Sequence, residues 1–122
     1  MIGYVTLGTK DLARAAEFYD AIARELGTGR MMENEKFIAW GKPGGGGLGL
    51  TYPNNGEAAT VGNGVMVALK ASDKAQVDRL HALALSLGGT CEGPPGDRGG
   101  GFYAAYFRDR DGNKLNAFIM QH

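Results

Sequence analysis

Val5-Thr-Leu-Gly-Thr-Lys-Asp11 and Val67-Ala-Leu-Lys-Ala-Ser-Asp73 are two extended segments that each end in an acid. They lie 62 positions apart at both ends (5 to 67, 11 to 73). Each is followed by a helical pattern. Leu12, Ala15, Tyr19, Ile22, Ala23 and Leu26 recur at the i, i+3, i+4, i+7 spacing after the first. Val77, Leu80, Ala84 and Leu87 do so after the second, with Leu83 widening the stripe. That spacing puts apolar side chains on one helix face. Asp11 and Asp73 stand where a side-chain oxygen can accept from the unpaired N–H groups of a first helical turn. Gly27 and Gly89, again 62 apart (27 to 89), are expected to stop the helices.

The segments after each helix also correspond. Residues 28–33 are extended, and Phe37–Trp40 and Gly47–Tyr52 read as strands around a turn at Lys42-Pro-Gly-Gly45. In the second copy Thr90–Glu92 is extended, and Phe102–Arg108 and Lys114–Met120 are strands around Asp109-Arg-Asp-Gly-Asn113. Asp-Gly and Gly-Asn are strong turn dipeptides. The unit is therefore βαβββ, used twice: a first module over 1–55, a linker over 56–61 and a second module over 62–122. The fold class is α+β. One helix covers only one face of a four-stranded sheet, so the two bare faces are expected to curve, as mixed sheets, around a shared cup that can take a ligand.

Composition bounds the function. The chain has 122 residues with Lys+Arg 13 and Asp+Glu 13, so its formal net charge is zero. A nucleic-acid or anionic-membrane partner would demand a basic face, and neither is expected. The single cysteine, Cys91, permits no intramolecular disulfide and fits a reducing compartment. The N-terminus carries no signal-peptide pattern and no apolar run nears the roughly 20 residues of a membrane span, which together predict a cytoplasmic protein. Gly is 21 of the residues, well above the usual share of about 7%, and predicts many turns.

Ile2-Gly-Tyr-Val-Thr-Leu7 with Asp11-Leu12 and Phe18-Tyr-Asp20, Gly62-Asn-Gly-Val-Met-Val-Ala-Leu69, Val77-Asp-Arg-Leu-His-Ala-Leu-Ala84 with Gly88-Gly-Thr90, and Asp109-Arg-Asp-Gly-Asn-Lys-Leu115 carry a family likeness. Over nearly its whole length the sequence resembles the vicinal-oxygen-chelate superfamily, also called the glyoxalase/bleomycin-resistance/dioxygenase family. Arg110 stands where the family's hairpin usually has Pro. Metal-dependent members hold a divalent ion with His, Glu or Gln from the first and last strands of each module. The resemblance places those positions at Tyr4, Gly49, Met66 and Asn116. Gly has no side-chain donor, Met is a soft thioether, Asn is a weak ligand and Tyr is a poor one unless ionised. No native metal and no other cofactor is therefore expected. The resemblance implies a homodimer that binds a small molecule, as in the bleomycin-resistance branch. The alternatives are a lactoylglutathione-lyase-like or isomerase enzyme on a repurposed site, with Tyr4 or Tyr106 as acid or base, and a structural or regulatory dimer with a vestigial cup. No catalytic residue is assigned.

Strand parity selects the lining. With Tyr4, Gly49, Met66 and Asn116 facing the cup, period two adds Thr6, Thr51, Ala68 and Phe118. Val5, Leu7, Val65, Val67, Leu69, Leu115, Ala117 and Ile119 then pack under the helices. Across the turn, Tyr106 is expected opposite Asn116, and Arg108 near Lys114. Trp40 is a candidate wall. Residues 94–101 read as a loop that could lie over the cup, with Arg98 reaching a ligand anion. The ligand-binding set is thus Tyr4, Trp40, Met66, Tyr106, Asn116 and Arg98. Gly44–Gly47 is a hairpin turn, since a phosphate loop would need Gly-Lys-Ser/Thr opening a helix. Cys91 has no His or Lys beside it in sequence and reads as a structural or incidental thiol. His81, on a helix, and His122, the last residue, are expected away from the cup.

Overall fold

The computed structural model describes residues 1–121. The chain divides into two compact units, Met1–Val61 and a second from Gly62 onward. The first contains β1 (Tyr4–Gly8), α1 (Leu12–Glu25), β2 (Gly29–Glu33), β3 (Phe37–Gly41) and β4 (Gly47–Thr51). The second contains β5 (Val67–Lys70), α2 (Lys74–Ser86), β6 (Thr90–Asp97), β7 (Phe102–Arg108) and β8 (Lys114–Met120). Each unit holds one mixed four-stranded sheet, ordered β1-β4-β3-β2 and β5-β8-β7-β6. The first strand of each unit pairs in parallel with the last, and the other pairings are antiparallel. A parallel neighbour needs a long connection, which the helix and two strands between supply.

The acids begin the helices as their position predicts. Asp11 Oδ1 accepts from the Arg14 N–H at 3.1 Å, and Asp73 Oδ1 accepts from the Gln76 N–H at 2.8 Å. Such a cap contributes about 1 kcal/mol. Tyr52 at the end of β4 takes up a further orphan donor, its hydroxyl oxygen accepting from the Leu12 N–H at 3.0 Å. At the helix ends the 62-residue correspondence slips by one. Gly27 (φ 79°) closes α1, but Gly88 (φ 91°), not Gly89, closes α2. In α1 the Thr28 N–H donates to Ala23 O and the Gly27 N–H to Arg24 O; in α2 the Gly89 N–H donates to Ala84 O and the Gly88 N–H to Leu85 O. Both are the same left-handed stop, one residue earlier in the second unit because α2 has 13 residues and α1 has 14.

The helix-covered sheet faces form the cores. In the first unit Leu12, Phe18, Tyr19 and Ile22 of α1 are buried with Leu7, Ile38, Trp40 and Leu50 of the sheet. In the second, Val77, Leu80 and Ala84 are buried with Ala105, Phe107, Leu115 and Ala117. Burying each large apolar side chain contributes about 1.5–3 kcal/mol. Val65 departs from the expected packing. It is half-exposed and lies in a turn whose N–H donates to Gly62 O, because β5 does not begin until Val67.

The Asp109–Asn113 turn has a local electrostatic cause. Asp109 is buried, and its Oδ1 accepts from the backbone N–H groups of Asp111 and Asn113, each at 2.9 Å. Its Oδ2 accepts from Asn113 Nδ2 at 3.0 Å. Gly112 adopts φ 92°, which a side-chain-bearing residue enters only with strain. The turn fixes the register of β7 on β8, and with it Tyr106 opposite Asn116 and Arg108 opposite Lys114, as expected from the sequence.

Candidate functional site

Residues paired directly across strands share a sheet face, and so do residues two apart on one strand. In the second unit this rule gives the uncovered face one row of Ala68, Asn116, Tyr106 and Gly93. A second row is Lys70, Phe118, Ala104 and Gly96, and a third holds Lys114, Arg108 and Thr90. Asn116 sits in β8, an inner strand of the sheet, and is 1% exposed. Its Oδ1 is buried and has no hydrogen-bond partner among the described residues. An acceptor left in that state costs about 1–3 kcal/mol.

Tyr106 beside it is flanked by cations. The Arg98 guanidinium carbon lies 5.5 Å from the ring centroid and the Lys114 Nζ lies 5.6 Å from it. Each such contact is worth roughly 0.5–1 kcal/mol at an exposed site. Arg98 is held in place by its Nη2, which donates to Pro94 O at 2.6 Å. Phe118 stacks on Phe102, with centroids 5.6 Å apart. Glu92 forms an ion pair with Arg108, which holds its carboxyl below the ordinary value. With Arg108 so matched, Lys70, Arg98 and Lys114 give this face its surplus positive charge.

The uncovered face of the first sheet is different in character. It carries Tyr4, Thr6, Ala39, Gly49 and Phe37, with Thr6, Gly49 and Ala39 in one row. The Phe37 ring lies over Gly49, so closely that a Cβ built there would be 2.6 Å from Phe37 Cε2. Tyr4 meets Phe37 edge-on at 6.3 Å and is itself largely exposed.

Two expected site residues and one expected loop are placed otherwise. Trp40 is paired with Leu48 and shares the helix-covered face, where it is buried, packs on Tyr19 at 5.5 Å and donates through Nε1 to Asp20 Oδ1 at 2.8 Å. The register that puts Ala39 opposite Gly49 forces its neighbour Trp40 to the other side. Met66 precedes β5 and is 40% exposed, so it is not a strand residue. Residues 94–101 are not one loop. Pro94–Asp97 belong to β6, with Gly96 opposite Ala104 and Asp97 opposite Tyr103, and only 98–101 turn back. Two prolines are tolerated because β6 is an edge strand and its register shifts between Cys91 and Gly93 and between Gly93 and Gly96.

His81 and Cys91 are also placed otherwise than their sequence separation indicates. His81 is buried on α2 and its Nε2 lies 3.2 Å from Cys91 Sγ on β6. Burial holds His81 below its ordinary value of 6.5, while the Asp78 carboxylate opposes the shift. His122 lies outside the described residues. Sequence reasoning also missed Phe37, Lys70 and Lys114. The period-two rule would have found Lys114 and Lys70, as neighbours of Asn116 and Ala68 on the same face.

The residues at the metal positions implied by the resemblance do not fit a divalent ion. Gly49 offers no donor and its space is taken by the Phe37 ring; Met66 offers sulfur, and Asn116 a neutral amide. Among the described residues no group of three or more His, Cys, Asp or Glu is arranged to hold a metal. No described helix is long and apolar enough to cross a membrane.

Two βαβββ units, each with its last strand parallel to its first and one sheet face that carries no helix, define the class of protein. The model of the Glyoxalase/Bleomycin resistance protein/Dioxygenase superfamily matches residues 1–117, and the chain belongs to that superfamily. A glyoxalase/bleomycin resistance protein from Albidiferax ferrireducens T118 is 41% identical, covers 97% of both chains and superposes with a TM-score of 0.90. A lactoylglutathione lyase from Agrobacterium tumefaciens is 24% identical over 97% of this chain and 92% of that one, with a TM-score of 0.70. A glyoxalase/bleomycin resistance protein/dioxygenase family enzyme from Burkholderia phytofirmans PsJN is 18% identical over 98% of each, with a TM-score of 0.78. The last two likenesses concern the fold alone. Comparison with curated proteins gives no significant match.

Proposed function

We propose that this protein is a small-molecule-binding member of its superfamily that works without the ancestral divalent metal. The ligand engages the face of the second sheet that carries no helix. The observation that carries this reading is the buried, unpartnered Oδ1 of Asn116 beside Tyr106. A carbonyl oxygen in that state asks for an N–H or O–H donor, and a ligand that supplies one recovers about 1–3 kcal/mol. Tyr106 and Phe118 offer aromatic surface to a planar group, and Arg98, Lys114 and Lys70 favour a ligand that also carries negative charge. The ligand class is therefore an aromatic or conjugated compound with a hydroxyl or amide N–H and an anionic substituent. Glu92, the carboxylate that reaches this face, is already taken up by Arg108, so binding rather than catalysis is the proposed activity. The protein is proposed to act as a homodimer in the cytoplasm.

Native mass spectrometry of protein purified from its own host tests the dimer, the retained ligand and the metal content together. The expected spectrum is a dimer that retains a small organic mass and less than one equivalent of metal. A stoichiometric, chelator-resistant metal, or steady turnover of the retained compound, would overturn it.

A further inference from the structure

The second unit carries a nucleophile and a base in contact on the side of its sheet opposite Asn116. Cys91 pairs with Phe107, which is fully buried on the helix-covered face, so the Cys91 side chain is directed toward α2. There its Sγ meets His81 Nε2 at 3.2 Å. The two residues differ in surroundings in a way that suits their chemistry. His81 is 8% exposed and fixed in the helix, whereas Cys91 is exposed on β6, the edge strand of the sheet. Among the described residues no further strand pairs with that edge, so a small reagent can reach the sulfur while the imidazole stays dry. We infer that Cys91 and His81 form a reactive thiol site that conjugates soft electrophiles of the α,β-unsaturated carbonyl class.

The step balances without an added oxidant, reductant or leaving group. His81 Nε2 accepts the Cys91 S–H proton as the sulfur attacks the β-carbon. The S–C bond forms, the C=C π bond breaks, and its electron pair passes to the α-carbon as an enolate. The imidazolium then returns its proton to the α-carbon, giving a thioether and a neutral His81. A soft, polarisable sulfur favours such carbon electrophiles. Asp78, three residues before His81 on α2, acts electrostatically on the imidazole. Tyr103 donates its hydroxyl to Asp78 Oδ1 at 2.6 Å, and Lys74 Nζ lies 5.4 Å from the Tyr103 ring centroid. Asp78 therefore steadies the transient imidazolium, and burial keeps the resting imidazole neutral near pH 7, ready to accept.

The test uses N-ethylmaleimide and the whole chain, in which Cys91 is the single cysteine. Mass spectrometry follows the addition of one maleimide to folded protein and to the same protein unfolded in urea. General-base assistance should make the folded thiol react about tenfold or more faster than the unfolded one at pH 7. The advantage should shrink as the pH falls below 6.5 and through the lowered His81 range, where the imidazole becomes protonated. His81→Gln, shown to be folded by its circular dichroism, should lose most of the advantage. A folded thiol that reacts no faster than the unfolded chain would overturn the proposal without need of any variant. So would a folded His81→Gln protein that keeps the full rate.

Discussion

Replacing Asn116 with Leu should move stability and binding in opposite directions. The Asn116 side chain is almost fully buried and its Oδ1 has no hydrogen-bond partner among the described residues. Removing an unmatched buried acceptor relieves about 1–3 kcal/mol. Leu keeps the branched shape but is larger, and overfilling a packed position costs about 1 kcal/mol or more. The neighbours that must give way are Tyr106 and Ala68, on either side, and the stacked Phe118 two residues along. Ala68 is exposed and Tyr106 only partly buried, so the cost falls at the low end. The net is a gain of about 1 kcal/mol, or a rise in Tm of roughly 3–6 °C for a chain of this length. Affinity for the compound retained from the host should fall about 5- to 100-fold, because its donor loses the amide oxygen. Scanning calorimetry and titration calorimetry on the one variant read both effects. A variant with lowered Tm and unchanged affinity would refute the reasoning, since it would mean that Asn116 is satisfied inside the fold and takes no part in binding.

Asp109→Ala should destabilise the protein by about 2–4 kcal/mol, measured by urea unfolding, because the buried carboxylate holds two backbone N–H groups and Asn113 Nδ2 at once. Gly49→Ala should cost about 1–3 kcal/mol as the Phe37 ring is pushed aside, and Phe37→Leu in the same chain should recover part of it. Asp20 accepts from Arg30 at 2.9 and 2.8 Å and from Trp40 at 2.8 Å, and these bonds, Arg30 foremost, hold its carboxyl below the ordinary 3.8. Its stabilisation is therefore present above that unfolded value and is lost as pH falls through the lower folded one. Asp20→Asn should cost about 1 kcal/mol at pH 7, modest because both side chains are 35% exposed, and the gap to the parent should close below pH 3.8 in acid-unfolding curves.

The sequence alone determined the repeated βαβββ order, the two acid-capped helices and the Asp109–Asn113 hairpin. Each is written in a few neighbouring residues: a periodicity, a side-chain oxygen before a helix, a glycine at positive φ. The pairing of Tyr106 with Asn116 was legible for the same reason, since a short turn fixes register locally. Trp40 was not legible, because a strand residue faces the core or the bare side according to the partner it meets. That partner, Leu48, is set by the pairing of β3 with β4. Pro94–Asp97 read as a loop because proline and glycine disfavour strands, and only their place on an edge with two register shifts lets them pair. The one-residue slip from Gly89 to Gly88 follows from the shorter α2, a length that apolar periodicity does not resolve. His81 and Cys91 stand ten residues apart in sequence and meet because α2 lies across β6. The empty acceptor on Asn116 is likewise a tertiary fact: a side chain's type shows what it can bond, and only the packed surroundings decide whether it does.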